Sequence, residues 1–64
     1  MAEYCVNKYG DHEVHKVANC SHLPEKMNRK TFFANTDKEA MERAKKFYEN
    51  VDGCGYCMSH FNTK

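Results

Sequence analysis

The sequence predicts an α+β domain in which one amphipathic helix packs on a short, three-stranded antiparallel sheet. Three patterns support this prediction. Two segments near the N-terminus carry apolar residues at period two, a short aromatic segment follows near residue 31, and apolar residues then recur at three- and four-residue steps. A chain of 64 residues accommodates one small domain, which we take to span residues 1–64.

The first two strands form a predicted hairpin. Tyr4 and Val6 lie on one face of a strand, and the segment Tyr9-Gly10-Asp11-His12 has turn residues, because glycine readily adopts positive φ and aspartate bonds to its local backbone. The return strand covers residues 13–17, with His15 at its centre. The short connection favours antiparallel pairing of the two strands.

An irregular segment separates this hairpin from the third strand. Residues 18–30 contain the only proline, Pro24, which disfavours helix at the preceding residue. A loop of this length is unusual in a compact domain unless something holds it. Cys20 is the residue that we expect to hold it, and residues 31–34, β-branched and aromatic, form the third predicted strand.

The helix has the clearest signals in the chain. Thr36 and Glu39 have the spacing of a capping box, and Asp37 lies where the helix dipole favours negative charge. We expect the helix to run from there to about Glu49 or Asn50. Its apolar stripe consists of Ala40, Met41, Ala44, Phe47, Tyr48 and Val51.

The predicted core is small for a stable domain. Chains of this size rarely obtain more than about 3–5 kcal/mol from a single core, so many use disulfides, a metal or a partner. We therefore expect this chain to need one of these additional sources of stability. The candidate core residues are Val6, Val14, Val17, Leu23, Phe32, Phe33, Met41, Phe47, Tyr48 and Val51.

Charge and hydropathy restrict the function classes. The formal net charge of +1 gives no strong field for steering nucleic acid or lipid. No apolar run approaches the ~18 residues of a spanning helix, and the first five residues lack the pattern of a signal peptide. We expect a cytoplasmic monomer without membrane contact, whose partner is either a protein or a nucleic acid.

Cysteine usage in a reducing compartment favours metal binding or thiol chemistry over disulfides. Cys54 and Cys57 form a C-x-x-C motif with Gly53 and Gly55 beside the first cysteine. These glycines allow a tight turn through positive φ, which would direct both thiolates at one metal. The same spacing also occurs in redox pairs, so both interpretations stand.

A structural zinc site needs four thiolate or imidazole ligands, commonly from two distant parts of the chain. Cys20 is the third cysteine in a suitable position, and the fourth ligand is open among His15, His22 and His60. Cys5 lies in a strand without a partner at metal spacing, so we expect it to pack in the core.

The order of several short motifs resembles the metal-binding domain of the Ada DNA-repair methyltransferase and its relatives. The resemblance covers residues 4 to 57, nearly the whole chain. It consists of Tyr4-Cys5-Val6-Asn7-Lys8, His15-Lys16 with Cys20, Asn28-Arg29 with Phe32-Phe33-Ala34-Asn35, Glu39-Ala40, and Gly53-Cys54-Gly55-Tyr56-Cys57.

This resemblance implies a zinc site built from His15, Cys20, Cys54 and Cys57. In the Ada domain four cysteines bind zinc, and the first of them accepts a methyl group from a DNA phosphotriester. The three cysteines here match the last three ligands, whereas His15 lies near the place of the first, where nuclease-associated relatives also carry histidine. An imidazole is not the thiolate that accepts the methyl group.

The function that follows is a non-catalytic, structural zinc-binding module that contacts a protein or a nucleic acid. The chain has no other constellation of acid, base and nucleophile, which favours a non-catalytic role over an enzymatic one without deciding between them. Two alternatives remain: repair of DNA methyl-phosphotriesters by a methyl-accepting cysteine, and thiol redox chemistry at Cys54 and Cys57.

Overall fold

The computed structural model describes residues 1–62. It contains the strands β1 (Ala2–Asn7), β2 (Glu13–Lys16), β3 (Arg29–Ala34) and β4 (Asp52–Gly53), the helix α1 (Asp37–Phe47), and 3-10 turns at Lys26–Asn28 and Ser59–Phe61. The predicted α+β class agrees with this composition. Within this part of the chain, neither the helix nor the turns have the length and apolar character needed to cross a membrane.

The sheet is mixed and has four strands in the order β3-β1-β2-β4, so the prediction of three antiparallel strands was wrong in this respect. β1 pairs antiparallel with β2 and β3, whereas β4 runs parallel to β2. β4 comprises Asp52 and Gly53 alone, and a strand of two residues is too short to be recognised from an alternating hydrophobic pattern. Its position is set by main-chain hydrogen bonds, such as that from Asp52 N–H to the His12 carbonyl at 3.0 Å.

The predicted hairpin is confirmed. Tyr4 of β1 pairs with Lys16 of β2, and Val6 pairs with Val14. Gly10 in the connecting turn has a φ of 71°, a conformation that side chains with a Cβ rarely adopt. The third strand begins at Arg29, two residues before the predicted start, because β1 is long enough to pair Arg29 with Asn7.

The predicted capping box at the start of α1 is confirmed. The Thr36 hydroxyl accepts a hydrogen bond from the Glu39 N–H at 3.1 Å, and the Glu39 carboxylate accepts one from the Asn35 N–H at 3.3 Å. The helix ends at Phe47, before the predicted boundary. Tyr48 is extended because its ring stacks on His12, with 4.0 Å between ring centroids, and this tertiary contact overrides the helical pattern.

The core lies between α1 and one face of the sheet. Phe32 is buried in it, but the neighbouring Phe33 is 53% exposed because successive strand residues point to opposite faces and the helix covers one of them. Phe47 is also 41% exposed, so the prediction of both as core residues was wrong. Tyr4, absent from the predicted core, is almost completely buried.

Tyr4 joins the sheet to the start of the helix. Its hydroxyl donates to the Asp37 carboxylate at 2.6 Å, and the Lys16 ammonium lies 3.0 Å from the same carboxylate. Burial, and then the hydrogen bond to Asp37, raises the pKa of Tyr4 to about 12. Burial disfavours the Asp37 charge, but hydrogen bonds from Tyr4 and Lys16 outweigh it and hold the Asp37 pKa below its usual value.

Candidate metal centre

Strand β2 positions the first candidate ligand, His15, whose side chain is buried. The imidazole Nε2–H donates to the Asn7 side-chain oxygen at 2.9 Å. This hydrogen bond leaves Nδ1 unprotonated, and Nδ1 lies 3.5 Å from Cys20 Sγ. The ring is thereby held in the tautomer and orientation that a nitrogen ligand requires.

A turn at the end of β2 brings Cys20 back to His15. The Lys16 carbonyl accepts hydrogen bonds from the N–H groups of Asn19 and Cys20, at 3.1 and 3.0 Å. The buried Cys20 thiol then lies 3.7 Å from Cys54 Sγ. The Cys20 side chain thus contacts the C-terminal motif from within the long loop, which is where the sequence predicted the loop to be held.

The C-x-x-C motif follows β4 directly and continues its hydrogen bonding to β2. Cys54 N–H donates to the Val14 carbonyl at 2.9 Å, and the Cys54 carbonyl accepts from Met58 N–H at 2.9 Å. Two further main-chain groups donate to sulfur: Lys16 N–H to Cys57 Sγ at 3.2 Å and Tyr56 N–H to Cys54 Sγ at 3.4 Å. Such bonds stabilise negative charge on thiolates.

The glycines of the motif act differently from what the sequence predicts. Among residues 1–62, Gly10 alone combines glycine with positive φ, so neither Gly53 nor Gly55 uses that conformation. Gly53 is instead required by close packing, because a Cβ there would lie 2.5 Å from the Met58 carbonyl oxygen and 2.8 Å from Phe61 Cβ. A Cβ on Gly55 would make only an ordinary contact, 3.5 Å from Asn62 Nδ2.

The four predicted ligands come together. One ligand atom from each of His15, Cys20, Cys54 and Cys57 lies within 4.8 Å of the others. Zinc bonds are about 2.3 Å to sulfur and 2.0–2.1 Å to nitrogen, so a regular tetrahedron has edges of about 3.8 Å between sulfurs and about 3.5–3.6 Å between sulfur and nitrogen. The distances of 3.7 and 3.5 Å at Cys20 fit these edges. This cluster could therefore hold a metal ion.

The pKa shifts within the cluster show which ligands are ready to bind a cation and which would have to lose a proton to do so. Burial, with the nearby Arg29 charge, holds the pKa of His15 below its usual value, so the ring is neutral at pH 7. Burial opposes ionisation of Cys54, but hydrogen bonds from the Cys57 and Tyr56 main chain outweigh it and lower the Cys54 pKa. Burial and the neighbouring thiols raise the pKa of Cys57 to about 12. A full set of thiolates thus needs a positive charge among them.

The other histidines lie outside this cluster. His22 is exposed and stacks on Tyr56, with 3.7 Å between ring centroids, and His60 is exposed in the turn at Ser59–Phe61. Cys5 pairs with His15 across β1 and β2 but is not one of the four clustered residues. Its thiol is completely buried, as predicted for a packing role, and burial raises its pKa to about 11.

Sequence reasoning missed the supporting residues of this centre. Asn7 orients His15, and the main chain of Val14 and Lys16 anchors the motif. Asn7 could have been predicted from the alternation of side chains along the hairpin. Cys5 pairs with His15, and Asn7 lies two residues after Cys5, so all three side chains share one sheet face. The main-chain anchors carry no residue-type signal.

Comparisons of the chain with protein-family models, with curated proteins and with solved structures gave no match.

Proposed function

We propose that the chain is a non-catalytic module in which His15, Cys20, Cys54 and Cys57 hold a structural zinc ion. The observation that supports this most strongly is the convergence of the four ligand atoms within 4.8 Å. Three thiolates and one imidazole are a common ligand set of structural zinc, and they fill all four tetrahedral positions. A filled shell leaves no position for a reacting water or substrate.

The proposed zinc would connect parts of the chain that are far apart in sequence. It would join strand β2, the loop that carries Cys20, and the C-terminal motif. Structural zinc supplies about 10–16 kcal/mol of apparent binding free energy, which exceeds what a core of this size provides. The metal would therefore act by stabilising the fold.

Metal content and thermal unfolding test this proposal. Purified protein should contain one zinc per chain, and a strong chelator should lower its melting temperature or unfold it. Cys20→Ala should lose the metal, whereas the control Cys5→Ala, which removes another buried thiol outside the cluster, should retain it. A metal-free protein that melts identically with and without chelator would contradict the structural role.

We also propose that the chain is related to the histidine-containing, non-methylating members of the Ada-like group. Support comes from the position of His15, whose Nδ1 faces Cys20 and whose Nε2 is bound to Asn7. Incubation with DNA carrying methyl-phosphotriesters, followed by intact mass measurement, should show no transferred methyl group. A gain of one methyl on a cysteine would establish the repair function instead.

The module would then act through its surface, by contacting a protein or a nucleic acid. The near-neutral charge of the chain predicts weak binding to nucleic acid at low salt, where phosphate contacts are strongest. Titration of fluorescent DNA and RNA at low and physiological salt distinguishes the two classes. Tight, salt-dependent binding would favour the nucleic acid, and its absence would favour a protein.

A further inference from the structure

The outer strand of the sheet, β3, has an open edge. Within the described residues, β3 pairs with β1 on one side and is the last strand on the other. The Asn28 carbonyl accepts from Lys8 N–H, and antiparallel pairing alternates from there. The main-chain groups of Lys30, Phe32 and Ala34 therefore face β1, and those of Thr31 and Phe33 point outward.

Few features protect this edge from pairing with another strand. Edge strands are commonly protected by proline, bulges or central charges. β3 contains no proline or glycine, its pairing with β1 runs without interruption from Arg29 to Ala34, and its charges are confined to Arg29 and Lys30 at its start. Phe33, in the second half of this strand, is 53% exposed.

A groove between β3 and α1 runs beside this edge. It has a volume of about 560 Å³ and is lined by Phe32 from the strand and by Glu39, Glu42, Arg43, Lys46 and Phe47 from the helix. The Lys30 ammonium lies over the exposed Phe47 ring, 4.8 Å from the ring centroid. Partly exposed aromatic rings beside unpaired main-chain groups are suited to a second strand.

The charges along the groove are polarised. The chain reverses direction between β3 and α1, so the first turns of the helix lie near Ala34 and its last turn lies near Lys30. Glu39 and Glu42 therefore lie on the Ala34 side of Arg43 and Lys46, and within one copy Arg43 Nε also lies 3.1 Å from the Glu39 carboxylate. Rotating this surface by 180° about an axis through the middle of β3 places each acidic end on a basic end.

We propose that two copies of this chain associate through antiparallel pairing of their β3 strands. A two-fold interface uses the same surface twice and must be complementary to itself. With the axis at Phe32, Thr31 of one copy pairs with Phe33 of its partner, which forms about four main-chain hydrogen bonds. The same rotation sets Glu39 opposite Lys46 and Glu42 opposite Arg43, and the groove is filled by aromatic rings from both copies.

Sedimentation velocity of zinc-loaded protein, from about 5 to 500 µM, tests the proposal in the concentration range of a modest affinity. A monomer–dimer equilibrium is expected. Thr31→Pro should abolish it, because it removes an outward N–H that the folded monomer does not use. Circular dichroism and metal content of the variant check that the fold and the metal site remain intact.

A charge-reversal pair supplies the control for specificity. Arg43→Glu and Glu42→Arg each set two like-charge pairs across the axis, and each alone should weaken self-association about tenfold. An equimolar mixture of the two variants restores both opposite-charge pairs and should form heterodimers with wild-type affinity. A structural defect in either variant would not be repaired by mixing.

Wild-type protein that remains monomeric throughout the range overturns the proposal. A dimer that persists in Thr31→Pro also overturns it, because the interface then lies elsewhere. Self-association and metal content are measured separately, so failure of this proposal is distinguishable from failure of the zinc proposal.

Discussion

Replacement of Gly53 by alanine should destabilise the protein through a steric conflict that the neighbouring Gly55 does not share. The added Cβ would lie 2.5 Å from the Met58 carbonyl oxygen, whereas ordinary contacts of this type exceed 3.0 Å. The oxygen belongs to main chain, and the second close atom is Phe61 Cβ at 2.8 Å, so the whole turn after the C-x-x-C motif would have to move.

The expected magnitude follows from the cost of overpacking, about 1–3 kcal/mol. For a domain of this size, 2 kcal/mol corresponds to a fall of about 8–16 °C in melting temperature. The movement would also strain the hydrogen bond from Asn62 to the Gly53 carbonyl, which is 2.8 Å long. Thermal unfolding at one fixed free zinc concentration measures the effect, and the zinc affinity of each variant, measured separately, gives the part that comes from changed metal binding.

Gly55→Ala is the matched control. Its Cβ would meet Asn62 Nδ2 at 3.5 Å, and its backbone does not have positive φ. Alanine at such a compatible position commonly stabilises a protein by about 0.4–1 kcal/mol, because it lowers the conformational entropy of the unfolded chain. Equal melting temperatures for Gly53→Ala and the wild type, or equal losses in both variants, would refute the explanation by close packing.

Three further outcomes are expected. Asn7→Ala should weaken metal binding about 10–100-fold in competition with a chromophoric chelator, because His15 loses the acceptor that orients it; unchanged affinity would contradict that role. Tyr4 has a folded-state pKa of about 12 against 10.0 for an ordinary tyrosine, so its contribution to stability is complete below pH 10 and is lost as the pH rises towards 12. In an ultraviolet titration, Tyr4→Phe should therefore remove the last tyrosine to ionise, and removal of an early transition instead would refute the assignment. Thr36→Ala should cost about 1 kcal/mol in urea unfolding, with Thr36→Ser as the control that keeps the cap; equal losses in the two variants would exclude the hydroxyl as the cause.

The sequence predicted those elements whose signals are local. The Thr36 and Glu39 cap, the turn at Gly10 and the hairpin that follows from it depend on neighbouring residues, and all three are present. The end of the helix depends on a distant contact, the stacking of Tyr48 on His12, which local propensity does not contain. Boundaries set by tertiary contacts are therefore the ones that differ.

Strand β4 and the burial of the phenylalanines illustrate the same limit. Asp52 and Gly53 form a strand because β2 offers them hydrogen-bonding partners, and a two-residue segment has no detectable period. Phe32 and Phe33 are chemically equivalent in the sequence, and only the position of α1 decides which of them is buried. The number of covered sheet faces is a property of the assembled fold.

The candidate site was predictable at the level of residue types. Cysteine spacing pointed to Cys54 and Cys57, and elimination left Cys20 as the third thiol. The fourth position stayed open among three histidines on the residues alone. The structure distinguishes the histidines, because His15 on β2 lies beside the three thiols, whereas His22 stacks on Tyr56 outside the cluster.

Zinc K-edge X-ray absorption of the purified protein tests the proposed centre most directly. A site formed by His15, Cys20, Cys54 and Cys57 predicts one zinc per chain with three sulfur neighbours at about 2.3 Å and one nitrogen neighbour at about 2.0–2.1 Å. In His15→Ala the outer-shell scattering of the imidazole ring should disappear, while His22→Ala should leave the spectrum unchanged. A shell of four sulfurs, a shell dominated by light atoms, or protein that folds without zinc would contradict a structural zinc site at these four residues.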